Sequence, residues 1–326
     1  MKILFEHSGV LPVQKYGGTE RIIYWLMKEL VQLGHKVYLL GHPVSQVSKI
    51  GVILIKKILG QTDWRAQIPK DVDLIHLFYT PSFELPKPVL VTIEGNGKVN
   101  ERFHLNTLFI SKRHAEIHGS THFVYNGIDL EEYPLNNLEK KVGRKKWSDF
   151  LFLAKAGWKV KNLRDCIRAC KKVKKNLHIA GGRVWSFSTN IYSYGMVGQK
   201  EKLKLLEQAD ALLFPVKWEE PFGIAIIEAF AMGLPVIGSA YGSLPELIRP
   251  NTGIICRSYK EFEESLNEKN KFDPHEIRSY VEEFFSSHLM AKKYQPYYQL
   301  VASGASIHKS QPCYQFQSSA EEIGLF

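Results

Sequence analysis

Cysteine is scarce. Four in 326 residues are too few, and wrongly spaced, for a disulfide framework or a metal knuckle. Cys166 and Cys170 stand four apart in a helical pattern and Cys256 and Cys313 are isolated, so all four read as plain thiols of a reducing compartment. Long apolar runs are missing too. The richest, residues 222–238, is broken by Glu228 and Pro235 and cannot cross a bilayer. The opening MKILFEHSGV reaches Glu6 and His7 after a few apolar residues, which suits a first strand and not a signal peptide. A cytoplasmic protein is the expectation. No Asp-x-Asp pair sits at the end of a strand, since the one at 71–73 precedes its strand; no metal and no other cofactor is expected.

Acid is short relative to base, with a formal charge of +10, but the surplus is local. From Lys140 to Lys175 fourteen Lys and Arg face only Asp149 and Asp165, so the rest of the chain is slightly acidic. Much of this lies on one helix, NLRDCIRACKKVKK, whose apolar stripe is Leu163, Cys166, Ile167, Cys170 and Val173. The basic side chains then form either a solvated face or a surface for weak peripheral contact with an anionic membrane. Aromatic residues do not interleave with them, which argues against nucleic acid.

What is present is enough apolar material for two cores, 44% hydrophobic residues in a chain longer than one domain usually spans. Short apolar runs alternate with helical patterns. KILFEH, HKVYLLG, DVDLIHLFY, KPVLVTIEG, NTLFIS and THFVYNG read as strands in the first half; FLFLAKAG, NLHIAGG, YGMVG, DALLFPV, LPVIGS and GIICRS in the second. ERIIYWLMKELVQLG is an amphipathic helix closed by Gly34. Such alternation predicts parallel, twice-covered sheets and an α/β fold of two doubly wound, Rossmann-like domains. The boundary falls in the polar segment between Asp129 and Asp149. It divides the chain into a domain at 1–147, a second at 148–303 whose last helix packs back toward the first, and a loosely ordered polar tail at 304–326.

The stretch EEPFGIAIIEAFAMGLPVIG places acids in an otherwise apolar run. DALLFPV is a strand and PFGIAIIEAFAMG the helix after it, with Pro221 suited to its first turn and Gly233 to its end. In open parallel sheets ligands sit beyond the carboxyl ends of strands, against helix N-termini. The N–H groups of Phe222, Gly223 and Ile224 can therefore meet phosphate or sugar oxygens, with Glu220 at the opening. Glu228, two helical turns on, needs strong donors if ionised; ribose hydroxyls, a neighbouring backbone or a basic side chain would each serve.

These residues resemble the E-x7-E signature of the retaining glycosyltransferases of family 4, which have the GT-B fold of two domains facing a cleft. YGGTERIIYWLMKELVQLGHKVYLL, NGID at 126–129 and YGSLPELI extend the likeness over most of the chain. The resemblance implies a metal-independent, retaining transfer of a sugar from a nucleotide-sugar donor, UDP-linked ahead of GDP-linked. The acceptor would be a glycan or a lipid-linked molecule, as in cell-envelope polysaccharide synthesis, bound by the N-terminal domain of an enzyme in the cytoplasm or at the inner face of the membrane. Reaction would occur on one face of the sugar, the leaving phosphate helping to deprotonate the acceptor. Glu220 would hold the donor sugar and Glu228 the ribose. Gly17 and Gly18 would admit the pyrophosphate unless they form a simple turn. Lys155 and Lys161 match an Arg and a Lys that grip the pyrophosphate, with Lys159 as an alternative to either. Lys155 replaces a forked group with a point charge, and Glu94 stands where the family carries a histidine that approaches the sugar. Glu94 then bonds the donor or pairs with Lys98. His76 either faces the cleft or is a hydrogen-bonded structural residue. Another GT-B-fold sugar-nucleotide enzyme such as an epimerase, or a catalytically weakened binding protein, is the alternative.

Overall fold

The computed structural model describes residues 1–15, 17–58, 60–134, 142, 146–268 and 271–316. The chain divides into two compact units: Met1–Val13, Gly17–Ile128 and Ser287–Phe316 make the first, and Gln14–Tyr16 with Asp129–Ser286 and Gln317–Phe326 the second. Part of the basic run, including Lys140, Lys141, Arg144 and Lys145, and the end of the tail from 317 lie outside the described residues.

Unit 1 runs β1 (Lys2–His7), α1 (Gly18–Gln32), β2 (Lys36–Gly41), β3 (Ile53–Lys56), β4 (Leu74–Leu77), β5 (Val89–Thr92), β6 (Thr107–Leu108) and α2 (Lys112–Ile117). Unit 2 follows with β7 (Asp149–Leu153), α3 (Leu163–Lys172), β8 (Asn176–Ala180), β9 (Ile191–Gly195), α4 (Gln199–Gln208), β10 (Ala211–Phe214), α5 (Ile224–Ala231), β11 (Val236–Ser239), α6 (Leu244–Leu247), β12 (Gly253–Cys256), α7 (Tyr259–Ser265) and α8 (Pro274–Phe284). The chain then returns to unit 1 as α9 (Ser287–Ala302).

Each unit holds one six-stranded, all-parallel sheet, in the orders β3-β2-β1-β4-β5-β6 and β12-β11-β10-β7-β8-β9. Both are the Rossmann order, whose direction reverses at β1/β4 and at β7/β10. The central strands are buried on both faces, as Ile3, Leu4 and Phe5 or Phe150, Leu151 and Phe152 show, which explains why they read as unbroken apolar runs. Helix α1 turns Ile22, Ile23, Trp25, Leu26 and Leu30 inward and ends where Gly34 adopts φ 83°. Helix α9 packs on the same unit: the Ser287 hydroxyl donates to the Glu29 carboxylate at 2.7 Å.

Several expectations need correction. THFVYNG forms no strand, only a single bridge between Phe109 and Phe123. The strand expected at YGMVG lies earlier, at Ile191–Gly195. Residues 53–56, for which no strand was expected, form β3. Pro221 precedes the helix instead of sitting in its first turn, because Gly223 takes a left-handed conformation (φ 87°) and α5 starts only at Ile224. The stretch after 303 is not loose as far as 316. Tyr314 is buried against Phe103 and Phe109, Cys313 bridges Arg102, and the Ile307 N–H donates to the Asn106 side chain at 3.0 Å. The polar neighbours hid Ile307, Pro312 and Tyr314, which tertiary contacts bury. Trp147, the last residue of the first domain in the sequence reading, is buried and stacks on Phe272, centroids 6.2 Å apart, within unit 2.

Candidate functional site

In unit 2 the loops after β7 and β10 flank the point where the strand order reverses, where a parallel sheet opens to ligands. The loop after β7 carries Lys155 and is pressed onto the end of β8. A Cβ on Gly181 (φ 123°) would lie 1.9 Å from the Ala154 oxygen, and the Ala156 N–H donates to the Gly181 carbonyl at 2.9 Å. Only glycine admits that approach. Lys155 is exposed, its Nζ 4.9 Å from the centroid of the Trp158 ring. A turn at Lys159–Lys161 ends on Asn162 (φ 58°), whose amide donates to the Pro215 carbonyl at 2.9 Å and ties this loop to the end of β10. The tie turns Lys161 inward while Lys159 stays exposed.

Lys161 meets Glu220 there. Its ammonium donates to both carboxylate oxygens, at 2.8 and 2.6 Å, in a buried pair. The Trp218 indole N–H donates to Glu220 Oε2, and the Lys161 Nζ stands 4.9 Å from the centroid of the Trp218 ring. The resemblance gave these two residues different ligand groups; the structure bonds them to one another. Glu220 is fixed from behind by the following loop. A Cβ on Gly242 (φ 58°) would lie 2.1 Å from the Glu220 nitrogen. The Ser243 N–H donates to the Glu220 carbonyl at 2.9 Å, and its hydroxyl to the Phe222 carbonyl at 2.7 Å. Trp218, Gly242 and Ser243 escaped the sequence reading, although YGSLPELI was the signal for two of them.

Phe222 buries its ring against Phe285, centroids 6.1 Å apart, while Gly223 and Ile224 stay half-buried at the start of α5. Glu228 is buried further along that helix. Its Oε1 accepts from the Tyr133 hydroxyl at 2.6 Å and from Lys202 Nζ, and Lys202 also reaches the Tyr133 oxygen at 3.1 Å. Of the donors open to Glu228, the structure supplies a basic side chain and a phenol. Arg278 donates to the carbonyls of Tyr133 and Ala231, each at 2.8 Å, and so pins Tyr133 to the end of α5.

Unit 1 holds the other candidates. Gly17 (φ 150°) precedes α1, where a Cβ would stand 2.7 Å from the Glu20 carboxylate and 3.0 Å from Val13; Gly18 is the first helical residue. Glu94 lies just beyond β5. Its Oε2 accepts from the Asn126 amide at 2.9 Å, whereas Glu94 Oε1 and Asn126 Oδ1 are buried without a hydrogen-bond partner among the described residues. Burial first, and then the Glu20 charge, push the Glu94 carboxyl up to about 7 against the opposing Asn126 bond. Lys98 is not its partner. The residue's N–H donates to Glu101 at 2.7 Å and its side chain is exposed. His76 is structural, its ring nitrogens 2.9 Å from the Tyr298 and Thr92 hydroxyls, with burial pushing its pKa down to about 3. Among the described residues no group of three or more His, Cys, Asp or Glu could hold a metal ion.

Comparison with known proteins adds a family match over part of the chain and a likeness of fold. Residues 136–272 match the family described as glycosyl transferases group 1. The chain is 29% identical over 252 residues to N-acetyl-alpha-D-glucosaminyl L-malate synthase of Bacillus anthracis, covering 70% of this chain and 62% of that protein. It is 28% identical over 150 residues to glycogen synthase of Mycobacterium tuberculosis, 41% of this chain and 35% of that one. It thus spans less than two thirds of the length of these curated relatives. Among solved structures, AviGT4, a glycosyltransferase involved in avilamycin A biosynthesis, superimposes with a TM-score of 0.74 at 21% identity over 94% of this chain and 99% of that one. Anabaena HepE in complex with UDP and glucose gives 0.68 at 15% identity over 91% and 98%.

Proposed function

We propose, from the match of residues 136–272 to the group 1 glycosyl transferases, that this chain is a member of that family and moves a sugar, with retention of configuration, from a nucleotide-sugar donor to a glycan or lipid-linked acceptor. The observation that carries the proposal is the pair of buried, lysine-neutralised carboxylates, Lys161–Glu220 and Lys202–Glu228, on the loop and helix that follow β10. A buried carboxylate is held ionised at neutral pH only by strong donors. Sugar hydroxyls reaching Glu220 release Lys161 toward an incoming diphosphate, so one exchange readies both ligand groups. At Glu228 the ribose hydroxyls join the bonds that Tyr133 and Lys202 already make.

In the reaction the acceptor oxygen forms its bond to the anomeric carbon on the face from which the diphosphate departs. The acceptor's proton passes to the leaving phosphate oxygen. Lys155, Lys161 and the N–H groups of Phe222, Gly223 and Ile224 stabilise the charge that develops there, as preorganised donors do. Gly17 and Gly18 admit an anion close to the backbone at the start of α1, and Glu94 takes a hydrogen bond from a donor hydroxyl or amine. UDP as carrier is supported by the HepE complex. Work in the cytoplasm, with peripheral contact at the inner face of the membrane, belongs to the same proposal and rests on the basic helix α3.

Slow hydrolysis of nucleotide sugars without acceptor tests it. The protein is expected to release UDP from a UDP-sugar, and Glu220→Gln to lower that rate by about a hundredfold or more, the scale for loss of one preorganised polar group. Glu228→Gln should weaken UDP binding by roughly 1.5–3 kcal/mol, the range for hydrogen bonds to charged groups. A parent chain that neither binds UDP nor GDP nor hydrolyses their sugars would sink the reading.

A further inference from the structure

The segment between β8 and β9 does not fold into a helix. Its residues alternate: Arg183, Trp185, Phe187 and Thr189 are exposed while Val184, Ser186 and Ser188 are half-buried. Backbone and side-chain bonds fix that alternation. Gly182 bridges Gly195 in antiparallel sense, and the Val184 N–H donates to the Ser193 hydroxyl at 2.9 Å. Trp185 is 98% exposed and Phe187 wholly so. Two large apolar rings left almost wholly in water serve no purpose in the fold.

The far end of this ribbon leads to the basic helix. The Asn190 amide donates to the Cys170 carbonyl at 3.3 Å and to that of Lys175, at the end of α3. Lys171, Lys172 and Lys174 are exposed there, although Lys172 also pairs with Glu263 at 2.7 Å. No Asp or Glu occurs anywhere from Lys171 to Lys200. An aromatic pair is therefore bracketed by Arg183 on one side and lysines on the other, with no acid of its own in the stretch.

We propose that the ribbon from Arg183 to Thr189, with the lysine-rich end of α3, is a docking surface for an anionic lipid bilayer. Aromatic rings settle at the level of the headgroups, and cations beside them meet the surface charge. Nucleic acid fits less well, because stacked bases need rings lying flat along a groove and these project as prongs. The inference rests on the membrane location suggested above, and gives it residues that the transfer chemistry does not use.

The test is co-sedimentation of the full chain with vesicles of phosphatidylglycerol and phosphatidylcholine in equal parts. The parent is expected to bind at low salt. Trp185→Ser combined with Phe187→Ser should lower the bound fraction at least about fivefold, since it removes the apolar contact that interfacial binding requires. Its melting midpoint and hydrolysis of a soluble UDP-sugar should not change, because both rings stand almost wholly in water. Lys171→Gln combined with Lys174→Gln should weaken low-salt binding and flatten its salt dependence. If the serine variant binds vesicles as the parent does, the ribbon is not the docking surface, whatever the lysines contribute. Binding to polyuridine without binding to vesicles, or a dimer that the serine variant dissolves, would equally overturn the proposal. Loss of hydrolysis with vesicle binding intact would strike the enzymatic reading and leave this one standing.

Discussion

The acids singled out for the site are held in opposite ways, with a lysine in unit 2 and without one at Glu94 in unit 1, although unit 1 does pair its buried Glu6 with Lys57. In unit 2, Glu220 and Glu228 each hold a lysine, with Trp218 and Tyr133 as further donors. In unit 1, Glu94 has only the Asn126 amide, and both atoms left over are acceptors. A carboxylate that carries its own cation has the cost of its burial offset by that partner. One that lacks a cation lowers its cost by taking up a proton. The first arrangement offers a ready ion pair for recognition; the second makes recognition conditional on pH.

The largest effect should come from breaking a pair in unit 2. Lys202→Met leaves Glu228 buried without its cation and should cost about 3–5 kcal/mol of stability, as removal of one partner of a buried ion pair does. Adding Glu228→Leu should recover most of that loss. Chemical denaturation of the two variants decides, and a single variant as stable as the parent would show that Glu228 is better solvated than its burial suggests.

Unit 1 should respond with the opposite sign. Because the folded carboxyl of Glu94 titrates near 7 and the unfolded one lower, the fold binds this proton more tightly than the unfolded chain does. Stability therefore falls as pH rises from the unfolded value through 7 and is level above. Glu94→Gln removes the penalty, and should stabilise the protein at pH 8 by up to ~3 kcal/mol while doing nothing at pH 4. Melting curves at the two pH values check this; an equal shift at both would mean that the carboxyl is ionised without strain.

The smallest effect belongs to Lys155, exposed and resting on Trp158. Lys155→Arg should change UDP affinity by less than about 1 kcal/mol, in favour of the forked group. A large loss in calorimetry would mean that the lysine is fitted to a geometry of its own.

Legibility in the sequence followed the range of the forces. The alternation of runs carried the two parallel sheets, and Gly34 marked the end of α1, because periodicity and backbone freedom are local. The E-x7-E helix was visible for the same reason. Partners were not. Tyr133 lies 95 positions from Glu228 and Lys202 lies 26, and Asn126 stands 32 from Glu94; no pattern along the chain joins such residues. The strand β9 was displaced because its outward Tyr192 and Tyr194 face solvent at the sheet edge and so break the apolar run expected of a covered strand.

Helix α9 has a consequence for how the protein is made. Its Tyr298 and Tyr294 hydroxyls bond His76 and Thr92, side chains of β4 and β5 that are synthesised some two hundred positions earlier. Between them the ribosome delivers all of Asp129–Ser286, a continuous segment able to collapse as it emerges. Until α9 follows, the histidine and threonine of unit 1 stay open to water and to any misplaced donor. The half begun first is thus the half closed last.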